Sequence, residues 1–126
     1  MTGETILVVE DECLIALHLT ELLEKAGYLV PDPVFAGEMA LMTLETSPAP
    51  DLILMDVGLA GTLDGIETAR QIRQRFPVPL IFVTAYTSEL MLERMREVAP
   101  DGVITKPFVD TDLLDLIGKA VGRSTP

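Results

Sequence analysis

The chain has 126 residues, with twenty Asp and Glu against nine Lys and Arg for a formal charge of −11, and 48% of it is apolar with no tryptophan. That length supports one core burying roughly two thirds of the unfolded surface and leaves no room for a second domain, while the acidic balance repels nucleic-acid phosphates and anionic membrane surfaces. Cys13 is the one cysteine, which excludes an internal disulfide, and no basic-apolar leader or run near the ~18 apolar residues of a membrane span is present, so the expectation is a cytoplasmic protein that binds neither nucleic acid nor membrane.

In chain order, Thr5 to Val9 is a short β-branched run that reads as a first strand buried on both faces. Ile15, Leu19, Leu22, Leu23 and Ala26 then repeat at helical spacing, with Gly27 as a C-terminal stop. A weak second strand is expected near Leu29 and Val30, at a sheet edge because Pro31 and Pro33 follow, and a second helix over Phe35 to Thr46. Leu52 to Met55 reads as the third strand. Asp64 can cap a third helix carrying Ala69, Ile72 and Phe76 on one face, and Pro77 and Pro79 punctuate its end. Leu80 to Val83 is the fourth strand, and Ser88 caps a fourth helix with Met91, Met95 and Val98 in register. Val103 to Thr105 is the fifth strand, and Asp110 or Thr111 starts a fifth helix that turns Leu113, Ile117 and Val121 inward. Residues 122–126 read as a short tail or linker stub, outside a core of about 4–121. Five βα units with right-handed crossovers make an α/β, three-layer, doubly wound sandwich.

Charged or hydroxylic residues stand where four of these strands end: Glu10 and Asp11, Asp56, Thr84 and Lys106. Neighbouring parallel strands bring such groups to one edge, where open α/β sheets bind their ligands. Three acids contribute about −3 and Lys106 about +1, so roughly −2 is confined there and calls for a cation. Oxygen ligands without nearby histidine or cysteine favour a hard ion, and Mg²⁺ suits a shallow site with one or two carboxylates. Asp56 is then the candidate nucleophile for a phosphoryl group, with Thr84 and Lys106 placed to hold the phosphoryl oxygens. Taken singly, each has an ordinary role as a helix cap, strand-end hydroxyl or surface lysine; the combination carries the chemistry.

With VVED at Glu10 and Asp11, LILMD at Asp56, VTA at Thr84 and KPF at Lys106, the chain resembles the receiver domain of two-component response regulators, of the chemotaxis-regulator type, over its whole length. The resemblance implies a flavodoxin-like fold with a parallel five-stranded sheet of order 2-1-3-4-5. It implies Mg²⁺ held by Glu10, Asp11, Asp56 and the backbone carbonyl of Gly58, phosphotransfer to Asp56 from a histidine kinase or histidine phosphotransfer protein, a Thr84 that turns toward the phosphoryl group, and a cis peptide bond between Lys106 and Pro107. The stretch MDVGLAGTLDGIETA looks like a subset of bacterial receivers paired with histidine kinases. Such a domain is a phosphoacceptor that assists its own phosphorylation and dephosphorylation and is otherwise not an enzyme. It signals through the face formed by the fourth helix, fifth strand and fifth helix, read by a downstream protein or by a second copy of itself. Where many receivers carry an aromatic residue three positions before the lysine, this chain has Val103; Tyr86, two residues after Thr84, is placed to cover or uncover the site instead.

Leu14, Leu17 and His18 lie beside the inward stripe of the first helix and form a candidate docking patch for the phosphodonor. Cys13 reads as a small packing residue near the pocket, His18 as a surface or boundary residue, and Arg70, Arg73 and Arg75 as solvating the exposed face of the third helix. With no output domain in 126 residues, action by protein contact or in a phosphorelay is expected. Two alternatives keep the fold: an interaction module that ignores the phosphoryl chemistry, and the receiver part of a longer DNA-binding regulator. An aspartate-nucleophile phosphatase would want an acid where Gly58 stands, and a flavin or nucleotide carrier would want a phosphate-cradling loop where Glu10, Asp11 and Glu12 stand.

Overall fold

The computed structural model describes residues 3–59 and 63–122, so residues 60–62 of the MDVGLAGTLDGIETA stretch and 123–126 of the expected tail lie outside it. The elements run β1 (Ile6–Val9), α1 (Cys13–Lys25), α2 (Gly37–Thr46), β2 (Leu52–Asp56), α3 (Gly65–Arg75), β3 (Leu80–Thr84), α4 (Glu89–Val98), β4 (Gly102–Thr105) and α5 (Asp110–Ala120). The strands pair in parallel in the order β1-β2-β3-β4, with Val9 opposite Met55, Asp56 opposite Val83 and Thr84 opposite Thr105.

Successive strand side chains point to opposite faces, which divides the core in two. Leu7, Val9, Ile53, Met55, Leu80 and Phe82 pack beneath Ala40 and Leu44 of α2, Ile66, Ala69 and Ile72 of α3, and Met95 and Val98 of α4. Ile6, Val8, Leu52, Leu54, Ile81 and Val83 meet Leu19 and Leu23 of α1 and Leu113 and Ile117 of α5. This is the expected three-layer sandwich. Ordinary local chemistry sets the helix ends: the Asp64 carboxylate accepts from the Glu67 N–H at 2.8 Å, the Ser88 hydroxyl accepts from the Met91 N–H at 3.3 Å, and Gly27, at φ 96°, takes the left-handed turn just past α1.

The expected strand at Leu29 and Val30 does not form. The segment instead runs along the outer side of β1, touching it through two parallel bridges, Thr5 to Leu29 and Val9 to Val34. Between those bridges the segment takes one step more than β1, which is a bulge, and Pro31 and Pro33 have no N–H to give a ladder. Counted as the second strand, the segment restores the order 2-1-3-4-5. The other departures are local. α2 begins at Gly37, which sits against Thr68 of α3 where a β-carbon has no room, and Phe35 lies outside the helix and is 44% exposed. Phe76 falls one residue past α3 yet still packs against the core. β4 is not buried on both faces: Gly102 and Ile104 turn toward α5, whereas Val103 and Thr105 are exposed.

Candidate functional site

Parallel register brings the carboxyl ends of all four strands to one edge, and the strand-end residues meet there. Of the four buried polar or charged residues among those described, three stand at this edge: Glu10, Asp56 and Thr84. The Lys106 ammonium donates to Glu10 Oε1 at 3.1 Å and to Asp56 Oδ1 at 3.3 Å. Backbone amides complete the frame, the Glu12 N–H on Glu10 Oε2 at 3.1 Å and the Gly58 N–H on Asp56 Oδ1 at 3.3 Å. One carboxylate oxygen from each of Glu10, Asp11 and Asp56 lies within 4.8 Å of the others. That donor set, all oxygen with Asp11 half-buried at the rim, fits a hard divalent cation. The Lys106 to Pro107 peptide bond is cis.

The electrostatics agree with the geometry. Burial pushes the Glu10 carboxyl up to about 7 and the Asp56 charge adds to this, against the Glu12 amide and Lys106, which favour the carboxylate. For Lys106, burial lowers the ammonium pKa, but the Glu10 hydrogen bond and the charges of Asp56 and Glu10 outweigh it and leave the value raised. One ammonium is thus fully charged between carboxylates that it only partly neutralises, a balance that a divalent ion would complete.

Thr84 is fully buried, and its Oγ is engaged with its own chain: it accepts from the Tyr86 N–H at 2.8 Å and donates to the Tyr86 carbonyl at 3.3 Å. Tyr86 is 52% exposed and its ring stands over Gly58, where an added β-carbon would meet Cε2 at 2.7 Å. Asp56, Gly58, Tyr86 and Lys106 line a cavity of about 130 Å³. Ile15, Ala85 and Lys106 also border a wider apolar groove of about 550 Å³ walled by Leu14, His18, Pro107 and Phe108. Leu14 is 82% exposed, and Leu17, 54% exposed, lies outside the groove lining. Val103 is 39% exposed on β4 and does not line the Asp56 cavity.

The readings of Cys13 and of the α3 arginines change, whereas His18 is a surface residue as expected and gains a partner. Cys13 is exposed, because it opens α1 and the inward face of that helix belongs to Ala16, Leu19 and Leu23. His18 Nε2 lies 3.3 Å from Asp110 Oδ1, a pair between α1 and α5 separated by 92 positions. The three α3 arginines are paired, not merely solvated: Arg70 with Glu67, Arg73 with Asp101 and the Ala99 carbonyl, and Arg75 with Glu45. Gly65 was not singled out by sequence reasoning, yet a β-carbon there would run into the Asp56 carbonyl oxygen. Its one signal was a glycine directly after a helix-capping aspartate.

Fold and site together define a receiver. Residues 6–118 match the family model of the response regulator receiver domain, and the chain belongs to that family. Among curated proteins it is 34% identical over 118 residues to the transcriptional regulatory protein PdtaR of Mycobacterium tuberculosis, covering 94% of this chain and 57% of the relative. It is also 34% identical over 116 residues to the phyllosphere-induced regulator PhyR of Methylorubrum extorquens, covering 92% and 43%. The chain therefore spans about half the length of these curated relatives. Among solved structures, the receiver domain of a modulated diguanylate cyclase from Desulfovibrio desulfuricans G20 superposes with a TM-score of 0.89 at 33% identity, covering 97% of this chain and 96% of that one. The receiver domain of the sensor histidine kinase PA1611 of Pseudomonas aeruginosa PAO1, with a magnesium ion coordinated in its active-site cleft, gives 0.85 at 30% identity, covering 96% and 99%. No helix among the described residues is long and apolar enough to cross a membrane.

Proposed function

We propose that this chain accepts a phosphoryl group on Asp56 in a Mg²⁺-dependent reaction and passes the signal on through its surface. The observation that carries the reading is the Lys106 ammonium held by both Glu10 and Asp56 beside a third carboxylate, Asp11, at the ligand edge of the sheet. Glu10, Asp11, Asp56 and the Gly58 carbonyl are the groups that would hold Mg²⁺, which when bound supplies positive charge to the incoming phosphoryl oxygens. The Gly58 amide and Lys106 fix Asp56 Oδ1, so the carboxylate meets the donor in one orientation. A carboxylate oxygen forms the new O–P bond as the N–P bond of a phosphohistidine breaks, and the imidazole nitrogen keeps that electron pair and takes a proton. Lys106 holds a phosphoryl oxygen as charge shifts onto it. Thr84 joins by releasing the Tyr86 amide, so its hydroxyl and the Tyr86 loop move together, and Tyr86 over Gly58 limits the access of water to the acyl phosphate.

The donor is a histidine kinase or histidine phosphotransfer protein that lays an apolar helix in the groove beside Leu14 and His18, with Leu17 at its margin. The face made by α4, β4 and α5 then signals to a downstream protein or a second copy. We take residues 4–121 as a single receiver domain working in the cytoplasm, where an exposed thiol such as Cys13 stays reduced; it is a phosphoacceptor and not a turnover enzyme. The test is intact mass after incubation with Mg²⁺ and acetyl phosphate. One phosphoryl adduct that vanishes on chelation is expected. No adduct from acetyl phosphate or from an active kinase would leave a phosphorylation-independent interaction module.

A further inference from the structure

We propose that the Arg94–Asp64 ion pair is the link through which the state of Asp56 reaches α4, with Arg94 as a positioning residue. The inference rests on the phosphoacceptor reading above and adds a contact to it.

The chain of contacts begins at the phosphoacceptor's own backbone. The Gly65 N–H donates to the Val57 carbonyl at 3.1 Å, and Gly65 lies so close to the Asp56 carbonyl that a β-carbon would collide with it. The first turn of α3 is therefore seated on the backbone of residues 56 and 57, immediately before Gly58. A packed backbone contact of this kind has no slack to absorb a displacement.

Asp64 precedes Gly65 and spends its two carboxylate oxygens on different elements. Oδ1 caps α3 through the Glu67 N–H at 2.8 Å, and Oδ2 accepts from Arg94 Nη2 of α4 at 3.0 Å. The pair is partly shielded, with side chains 38% and 32% exposed, and Arg94 is further braced by Nη1 on the Met91 sulfur at 3.7 Å. Oriented charge-assisted hydrogen bonds of this type transmit position better than a solvated surface pair. α4 is also tied to the site by Met95 and Val98, which share a core with Met55, Val57 and Ile66, and by its N-terminal loop, residues 85–88, all exposed, which leaves the sheet at Thr84. Apolar packing of this kind is non-directional, whereas the Arg94 pair is an oriented polar contact from α4 to the cap of α3. Arg73, also on α3, reaches only the loop after α4 through Ala99 and Asp101.

A group added at Asp56 that shifts the backbone of residues 56–58 moves the α3 cap and loads or releases Arg94. By linkage the pair must alter the phosphorylation equilibrium by the same factor. The test is amide hydrogen exchange of α4 with and without Mg²⁺ and excess acetyl phosphate, with intact mass confirming the adduct in every sample. In wild type, phosphorylation should change exchange across Glu89–Val98 by roughly fivefold, the low end of ordinary couplings. Arg94→Gln and Asp64→Asn should each remove that change while the 85–88 loop still responds; Arg94→Lys should retain part of it, and Arg70→Gln, on the same helix as Asp64 but paired with Glu67, should leave it intact. An adduct with the full α4 response in Arg94→Gln, or an adduct on wild type with no α4 response, overturns the inference. No adduct on wild type overturns the receiver reading, and this inference falls with it.

Discussion

Lys106 is the residue on which the site's charge balance turns. It donates to two carboxylates while 18% exposed, and both acceptors are buried. Lys106→Met leaves those acceptors without their cation, which costs about 1–3 kcal/mol of folding stability in metal-free protein. The same change removes a positive charge that a divalent ion must otherwise face. At about 4 Å and water-like screening this is worth about 2 kcal/mol, so Mg²⁺ should bind roughly 30-fold more tightly by calorimetry even as phosphorylation falls. Unchanged or weaker Mg²⁺ binding would show that Lys106 does not share the cation's site. Tyr86→Ala uncovers Gly58 and should shorten the life of the acyl phosphate; an unaltered decay rate removes Tyr86 from control of hydrolysis. Glu10, Asp56 and Lys106 were legible in the sequence because each follows an apolar strand, and strand ends in a parallel sheet converge by topology. The direction of the Thr84 hydroxyl was not, since it depends on a turn at Tyr86. The His18–Asp110 pair was not either, since it spans two helices far apart in sequence.

Among the helices, α3 has its first turn seated on the backbone of Asp56 and Val57. Gly65→Ala would press a β-carbon into the Asp56 carbonyl, an overpacking cost of about 1–3 kcal/mol or more where alanine is otherwise a good helix former. Asp64→Ala loses the cap at about 1 kcal/mol and frees Arg94 as well. The Asp64 carboxyl lies below its ordinary value of 3.8: burial would raise it, but the Glu67 amide and Arg94 outweigh burial. A carboxyl whose folded pKa is depressed stabilises the fold above its unfolded pKa, and that contribution is lost as pH falls through the folded value. Urea titrations should therefore show wild type more stable than Asp64→Asn at pH 7, with the gap closing below the ordinary carboxyl value of 3.8. A gap constant down to acid pH would contradict the ionic role. The α3 cap was readable from Asp64 alone, but the second use of its carboxylate was not, because Arg94 lies 30 residues away. Pro31 and Pro33 marked a sheet edge correctly; the strand before them was lost because a one-residue bulge leaves only two bridges to β1.

For the whole molecule, a net charge of −11 means that self-repulsion opposes the compact state and that any divalent ion is attracted without specificity. Specific binding is separable from screening. Mg²⁺ at about a hundred times its dissociation constant stabilises the native state by about 2.7 kcal/mol, whereas NaCl at matched ionic strength only screens. The melting temperature should rise with Mg²⁺ beyond the NaCl control, and Asp11→Asn should lose most of that excess. Equal shifts in both salts would mean that the acidic cluster holds no particular ion.

Asp56 is the proposed phosphoacceptor among twenty acidic residues. Borohydride reduces an acyl phosphate to the alcohol and leaves homoserine at the position that carried it, so peptide mapping after treatment with Mg²⁺, acetyl phosphate and borohydride locates the site directly. The expected result is homoserine at position 56 and nowhere else, with none formed in Asp56→Asn. Homoserine at another carboxylate, or an undiminished adduct on the Asp56→Asn protein, would contradict it.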